Sequence, residues 1–233
     1  MMTFPASFDR FAERALSPSL SDGSFLRARA LARLIHLSSD DIAKLEESDA
    51  SLVFVVDGAI KLVAHTETRR EQVVAFHFVG DLLKVPARGS HRYGLHALTD
   101  TDLIVLPYTE IRDLAALDPV TLGKMLDSSD AALARAREKT VLLGRKSAPE
   151  KVADFLVSMA ARIGKRTSGT VTVDLPMSRR DIADSIGLTV ETISRQLSKL
   201  REMGLIETTG RTRIIIHDLA VLQRLADHLP EAA

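Results

Sequence analysis

The 233-residue chain contains no cysteine, and that one absence removes several chemistries at once. Disulfides, thiolate-held iron–sulfur clusters, thiolate zinc sites and a cysteine nucleophile are all excluded on this chain. It also has no run of eighteen apolar residues, and no basic start leading into an apolar stretch and a small-residue cleavage site. Neither a membrane span nor a signal peptide is expected, which places the protein in the cytoplasm with no membrane partner. The seven histidines show no His-x-His or His-x-x-x-His spacing, and neither a nucleophile elbow nor a glycine-rich phosphate loop occurs. No catalytic and no metal-ligating residues are therefore assigned, and a cupin-like enzymatic or small-molecule-binding β-domain is the weakest of the functional readings.

What is present is ordinary globular material: 45% hydrophobic and 27% charged residues, enough for a packed core. The length suggests two domains. The net charge is zero, but it is unevenly spread. From Arg145 to His217 there are 13 Lys and Arg against 8 Asp and Glu, whereas Met1 to Gly144 carries 17 against 20. A basic C-terminal module joined to a mildly acidic N-terminal one fits a nucleic-acid-binding partner, although basic surfaces are common.

Along the first 50 residues, Leu31, Leu34, Ile35, Ile42 and Leu45 recur at roughly helical spacing, predicting one or two short helices; the extreme N-terminus carries no clear pattern. From Leu52 to Leu106 the texture becomes β-rich. Apolar runs at 52–56, 60–63, 72–78 and 103–106 are punctuated by turns at Asp57-Gly58, Gly80-Asp81 and Ala87-Arg88-Gly89-Ser90. Short strands at this spacing make a small barrel or sandwich, read here as a β-roll sensory domain.

Beyond Pro119 the pattern turns helical, and Leu122, Leu126, Ser129, Leu133, Ala136, Thr140 and Leu143 are separated alternately by four and three residues. That is a heptad seam, expected to make a dimer contact rather than only to pack on its own domain. Gly144 to Pro149 interrupts the helix and is expected to be a hinge. Val152, Phe155, Leu156 and Met159 then mark a further helix, and Val171-Thr172-Val173 a short strand.

Ser178-Arg179-Arg180-Asp181 has the form of a capping box, so a helix should start there. Ile182, Ala183 and Ile186 give it an apolar face, and Gly187 stops it because glycine enters the left-handed region at low cost. Leu188 should plug the gap between helices. Thr189 caps a second helix whose inward face is predicted to be Val190, Ile193, Leu197 and Leu200, ending at Met203-Gly204. Two helices over a tight glycine turn make a helix-turn-helix. Leu205–Glu207 and Arg213–His217 around Thr208-Thr209-Gly210-Arg211 predict a hairpin wing. The polar face left exposed carries Glu191, Thr192, Ser194, Arg195, Ser198 and Lys199, residue types that meet base edges in the major groove. Ser178, Arg179, Thr189, Thr192, Lys199 and Arg211 are assigned to the phosphate backbone, which fixes register without reading sequence.

Residues 176 to 206, above all Thr189-Val190-Glu191-Thr192-Ile193-Ser194-Arg195, resemble the DNA-binding signature of the CRP/FNR family of cyclic-AMP receptor and fumarate–nitrate regulators. The resemblance covers nearly the whole chain. It implies an α+β protein with an N-terminal β-roll similar to a cyclic-nucleotide-binding domain (a double-stranded β-helix) over 1–118. A dimerisation helix and hinge over 119–146 and a winged helix-turn-helix over 147–233 complete it. It also implies a homodimer acting on double-stranded DNA, with RNA polymerase as a further partner. The Glu-x-x-Ser-Arg pattern resembles the FNR and FixK branch, which makes Glu191, Ser194 and Arg195 the base-reading trio on a palindrome such as TTGAT-N4-ATCAA. The cyclic-AMP branch carries arginine where this chain has Val190 and glycine where it has Ser194.

For the sensory domain the resemblance leaves alternatives open. Gly80-Asp81-Leu82 resembles the opening of the cyclic-nucleotide cassette and, with Arg92, forms the candidate effector pocket. The place of the cassette's Arg-Ser pair reads His91-Arg92-Tyr93, so either Arg92 is shifted or the phosphate grip is absent, and absence is favoured. The FNR iron–sulfur cluster is impossible without cysteine. Haem would draw its ligands from His36, His65, His77, His91 and His96, but no cofactor is the first expectation. The remaining option resembles FixK-type regulators, which bind DNA without a known effector.

Overall fold

The computed structural model describes residues 2–46, 48–65, 71–87, 91–167, 169–210 and 212–226. The chain forms two compact units, Met1–Arg135 and Ala136–Ala233. No helix among the described residues is long and apolar enough to cross a membrane.

The first unit runs α1 (Phe4–Ala15), α2 (Asp22–Leu31), β1 (Arg33–Leu37), β2 (Ser51–Asp57), β3 (Ala59–His65), β4 (Glu71–Phe78), β5 (Leu82–Val85), β6 (Arg92–Ala97), β7 (Thr101–Pro107) and α3 (Tyr108–Ala115). It ends in the first part of α4 (Pro119–Arg145). Its strands pair antiparallel in two sheets, β1-β7-β2-β5 and β4-β3-β6. The apolar run in β2 does not alternate because both faces of that strand are covered. Val53 and Val55 join Ile60, Leu62 and Leu95 of the second sheet, while Leu52, Phe54 and Val56 meet Phe8, Phe11 and Ile111 from the helices. Gly58 turns β2 into β3 at φ +82°, where a Cβ would come within 2.3 Å of the Asp100 carbonyl oxygen.

Two N-terminal readings change. Leu34 and Ile35 lie in β1, opposite Ile104 and Leu103 of β7, rather than in a helix. Hydrogen bonding to that neighbour outweighs a weak local periodicity. The patternless N-terminus is α1, whose repeat is aromatic: Phe4 stacks on Phe8, Phe8 packs tilted against Phe11, and Phe8 and Phe11 are fully buried.

The second unit contains the end of α4, α5 (Ala148–Ile163), β8 (Lys165–Thr167), β9 (Thr170–Asp174), α6 (Arg179–Ile186), α7 (Val190–Glu202), β10 (Ile206–Thr209), β11 (Arg213–Ile216) and α8 (Leu219–Leu225). The break between α4 and α5 falls where expected, with a Ser147–Glu150 capping box and Pro149 in the first turn of α5. Val152, Phe155, Leu156 and Met159 are all buried. The strands form one antiparallel sheet, β10-β11-β9-β8. Ile193, 1% exposed, is the central anchor of α7. Ile193→Ala should cost about 2–5 kcal/mol of unfolding free energy by chemical denaturation. An unchanged midpoint would show that α7 is not held through this residue.

Candidate nucleic-acid interface

Local chemistry sets the start and stop of each helix here. The Ser178 Oγ accepts the Asp181 backbone N–H at 3.1 Å, and the Asp181 carboxylate accepts the Ser178 N–H at 2.9 Å and its hydroxyl at 2.6 Å. Two backbone amides at the start of α6 are thus satisfied. Gly187 closes α6 at φ 66° and ψ 47°, in the left-handed region. The end of α4 packs on this turn: the Lys139 ammonium donates to the Ser185 Oγ at 3.2 Å. Leu143 Cδ2 lies 3.3 Å from where a Cβ on Gly187 would stand. Burial lowers the Lys139 pKa to about 8.

Thr189 caps α7, its Oγ1 accepting the Thr192 N–H at 3.2 Å. Ile193, Leu197 and Leu200 face inward and are buried. Val190, predicted to lie with them, is instead 38% exposed at the first helical position of α7. The helix ends at Glu202, with Met203 as its cap.

The opposite stripe of α7 faces water. Glu191, Arg195, Lys199 and Glu202 are exposed, and Ser194 and Ser198 are half-buried. Ser194, Arg195, Ser198, Lys199 and Glu202 line one open depression. Glu191 is held below the usual carboxylate range, chiefly by its own backbone N–H, then by the Thr189 hydroxyl, with the Arg195 charge helping. It is therefore ionised at neutral pH and can only accept hydrogen bonds. Arg195 Nη2 donates to the Thr192 Oγ1 at 3.2 Å. Arg179, from the first residue of α6, donates through Nη1 to the Ser194 Oγ at 3.1 Å. Ser198, on the polar face predicted to be exposed, accepts from Arg201 Nη2 at 2.8 Å.

The wing follows as β10 and β11. Leu205 N–H returns to the Leu200 carbonyl, and Gly210 turns the hairpin at φ 66°. Arg213 is tied to Asp174 of β9 at 2.7 Å, which holds that carboxyl below its ordinary range. Arg211, assigned to the DNA backbone, lies outside the described residues.

The Crp-like helix-turn-helix domain family matches residues 150–225. The nitrogen fixation regulation protein FixK of Azorhizobium caulinodans is 32% identical over 226 residues, spanning 95% of this chain and 91% of that protein. The chain belongs to the CRP/FNR family of transcription regulators. The fumarate and nitrate reduction regulatory protein of Shigella dysenteriae is 31% identical over 78% of this chain and 74% of its own length. Among solved structures, FixK2 from Bradyrhizobium japonicum aligns with a TM-score of 0.72 at 32% identity, covering 87% of this chain and 99% of that one.

This CRP/FNR regulator therefore has the expected β-roll and winged helix-turn-helix. Its candidate effector residues are not brought together. Gly80 turns β4 into β5 at φ 89°, Asp81 accepts the Phe78 N–H at 3.0 Å, and Leu82 is buried. Arg92 instead stands opposite His65, whereas Phe78 stands opposite Ala59 at the other end of β3. The six intervening steps along β3 amount to about 20 Å at the usual rise per strand residue. The histidines are spread as well. His36 Nδ1 lies 2.6 Å from the Asp102 carboxylate, His77 is buried 3.4 Å from that of Asp81, His65 and His96 stack at 5.7 Å, and His91 is exposed. Among the described residues no group of three or more His, Asp or Glu is arranged to hold a metal ion.

Along α4 every heptad residue but Leu122 is exposed to solvent. Leu126, Leu133 and Leu143 are 56%, 47% and 42% exposed. Leu122 packs half-buried against the first unit's core. Ser129 and Thr140 donate back to the Met125 and Ala136 carbonyls at 2.9 and 3.0 Å, so their hydroxyls need no outside partner. Ala136 is exposed.

Proposed function

We propose that this regulator binds double-stranded DNA as a homodimer, inserting α7 of each copy into the major groove of a palindrome resembling TTGAT-N4-ATCAA. One observation carries the reading: Glu191, Ser194 and Arg195 share the solvent-facing side of a helix whose opposite side is anchored in the core by Ile193, Leu197 and Leu200. A carboxylate accepts from a cytosine or adenine amino group, a guanidinium donates to guanine, and a hydroxyl bridges to either class of edge. Arg179, Lys199, Thr189 and Thr192 ring this trio and meet phosphates, whereas Ser178, first assigned with them, spends its N–H and hydroxyl on the Asp181 carboxylate and serves as the cap of α6. The exposed leucines of α4 form the contact between copies, and two-fold symmetry of the protein is matched by the inverted repeat. RNA polymerase is the protein partner that the family relationship supplies.

The roll is not read as a cyclic-nucleotide site, because an anion grip needs the glycine turn and an arginine at one place, and here they lie at opposite ends of β3. Mobility shifts test the whole reading. The palindrome should bind at least about a thousandfold more tightly than a scrambled duplex at physiological salt. Equal affinity for the two would reject it.

A further inference from the structure

Arg179 does more in this structure than a phosphate contact requires. A guanidinium is a pure donor, so the 3.1 Å contact runs from Arg179 Nη1 to the Ser194 Oγ and occupies one acceptor site of that hydroxyl. A hydroxyl that accepts from a cation becomes a stronger donor and a poorer acceptor, because hydrogen bonds in a chain polarise one another. Its single hydrogen is then directed away from Arg179. The two side chains come from different helices, fifteen residues apart, with Ser194 half-buried and Arg179 exposed at the start of α6. The remaining N–H groups of Arg179 stay available to solvent or to a phosphate.

We infer that Arg179 is a positioning residue for base readout: it sets Ser194 as a hydrogen-bond donor towards an acceptor on the base edge while it grips the neighbouring phosphate. This rests on the reading of Ser194 as a base contact. The recognition pattern along α7 then becomes acceptor at Glu191, donor at Ser194 and donor at Arg195. The partner of Ser194 is an acceptor edge, thymine O4 or a purine N7 or O6, rather than the amino group of cytosine. One side chain joins backbone contact to sequence readout, so a correctly placed phosphate strengthens discrimination at a base that Arg179 does not touch.

The test uses the full-length protein and a set of duplexes with each base pair of the half-site changed in turn. Ser194→Ala identifies the pair that Ser194 reads. Arg179→Ala should reduce discrimination at that same pair by about fivefold, the worth of one hydrogen bond, leave preferences at the other pairs intact, and add nothing in the double variant. Arg179→Lys keeps the charge without the fork. It should retain the salt dependence of binding yet still lose discrimination at the Ser194 pair. If Arg179→Ala instead weakens every duplex alike, with only a fall in the salt slope of about one, Arg179 is a phosphate contact alone and the inference is overturned. If Ser194→Ala leaves all base preferences unchanged, the base-reading role of Ser194 has failed first, and the inference with it.

Discussion

A chain carrying Leu126→Glu together with Leu133→Glu should sediment as a monomer and lose about 10²- to 10⁴-fold in affinity for the palindrome, the loss expected when two linked half-site contacts become independent. Both leucines are about half exposed in the single chain, so the substitutions leave its own core untouched. In a paired seam, however, each glutamate would be buried against its symmetry mate. Desolvation and like-charge repulsion then both oppose association. Affinity for an isolated half-site should stay near that of the parent, which separates loss of pairing from loss of fold. A double variant that still sediments as a dimer would place the contact between copies elsewhere than on α4.

Arg195→Ala should weaken binding to the palindrome by about 1–3 kcal/mol, some 5- to 150-fold, and relax the preference at a single base pair in each half-site. In the free chain its guanidinium donates to the Thr192 hydroxyl at 3.2 Å, an exposed contact that water replaces readily. The thermal midpoint should therefore not move. Lys199→Ala provides the contrast. It lies on the same exposed stripe but as a point charge, so its loss should weaken all sequences alike and lower the salt slope by about one. Quantitative mobility shifts over a duplex panel measure both. Equal weakening of all sequences by Arg195→Ala would move that residue from base to phosphate.

The parts of this molecule that were legible beforehand are those decided by short-range chemistry. Ser178 with Asp181, the left-handed Gly187 and the Thr189 cap each act within a few residues, and the two helices of the motif begin and end where those residues require. The helix α4 was legible for the same reason, since its period is a property of one segment. What was not legible depends on chain segments far apart. β1 resembles a helix until β7 offers it hydrogen bonds, and β8, polar at Lys165-Arg166-Thr167, exists only as the partner of β9. The register of β3 against its two neighbours is what separates Arg92 from Gly80, and no local pattern encodes it. The contact of Leu143 on the Gly187 turn follows from the packing of α4 within the second unit. The Arg179–Ser194 bond likewise needs the crossing of α6 and α7.

In the proposed complex α7 enters the major groove in two symmetric copies. Dimethyl sulfate reports on this directly, because it methylates guanine at N7 on the major-groove edge that an arginine donor would cover. On the bound palindrome, the guanine of each TTGAT element should be protected, one on either strand and to the same extent, and Arg195→Ala should expose both. A saturated complex in which both guanines remain fully reactive, or in which only one half-site is protected, would contradict it.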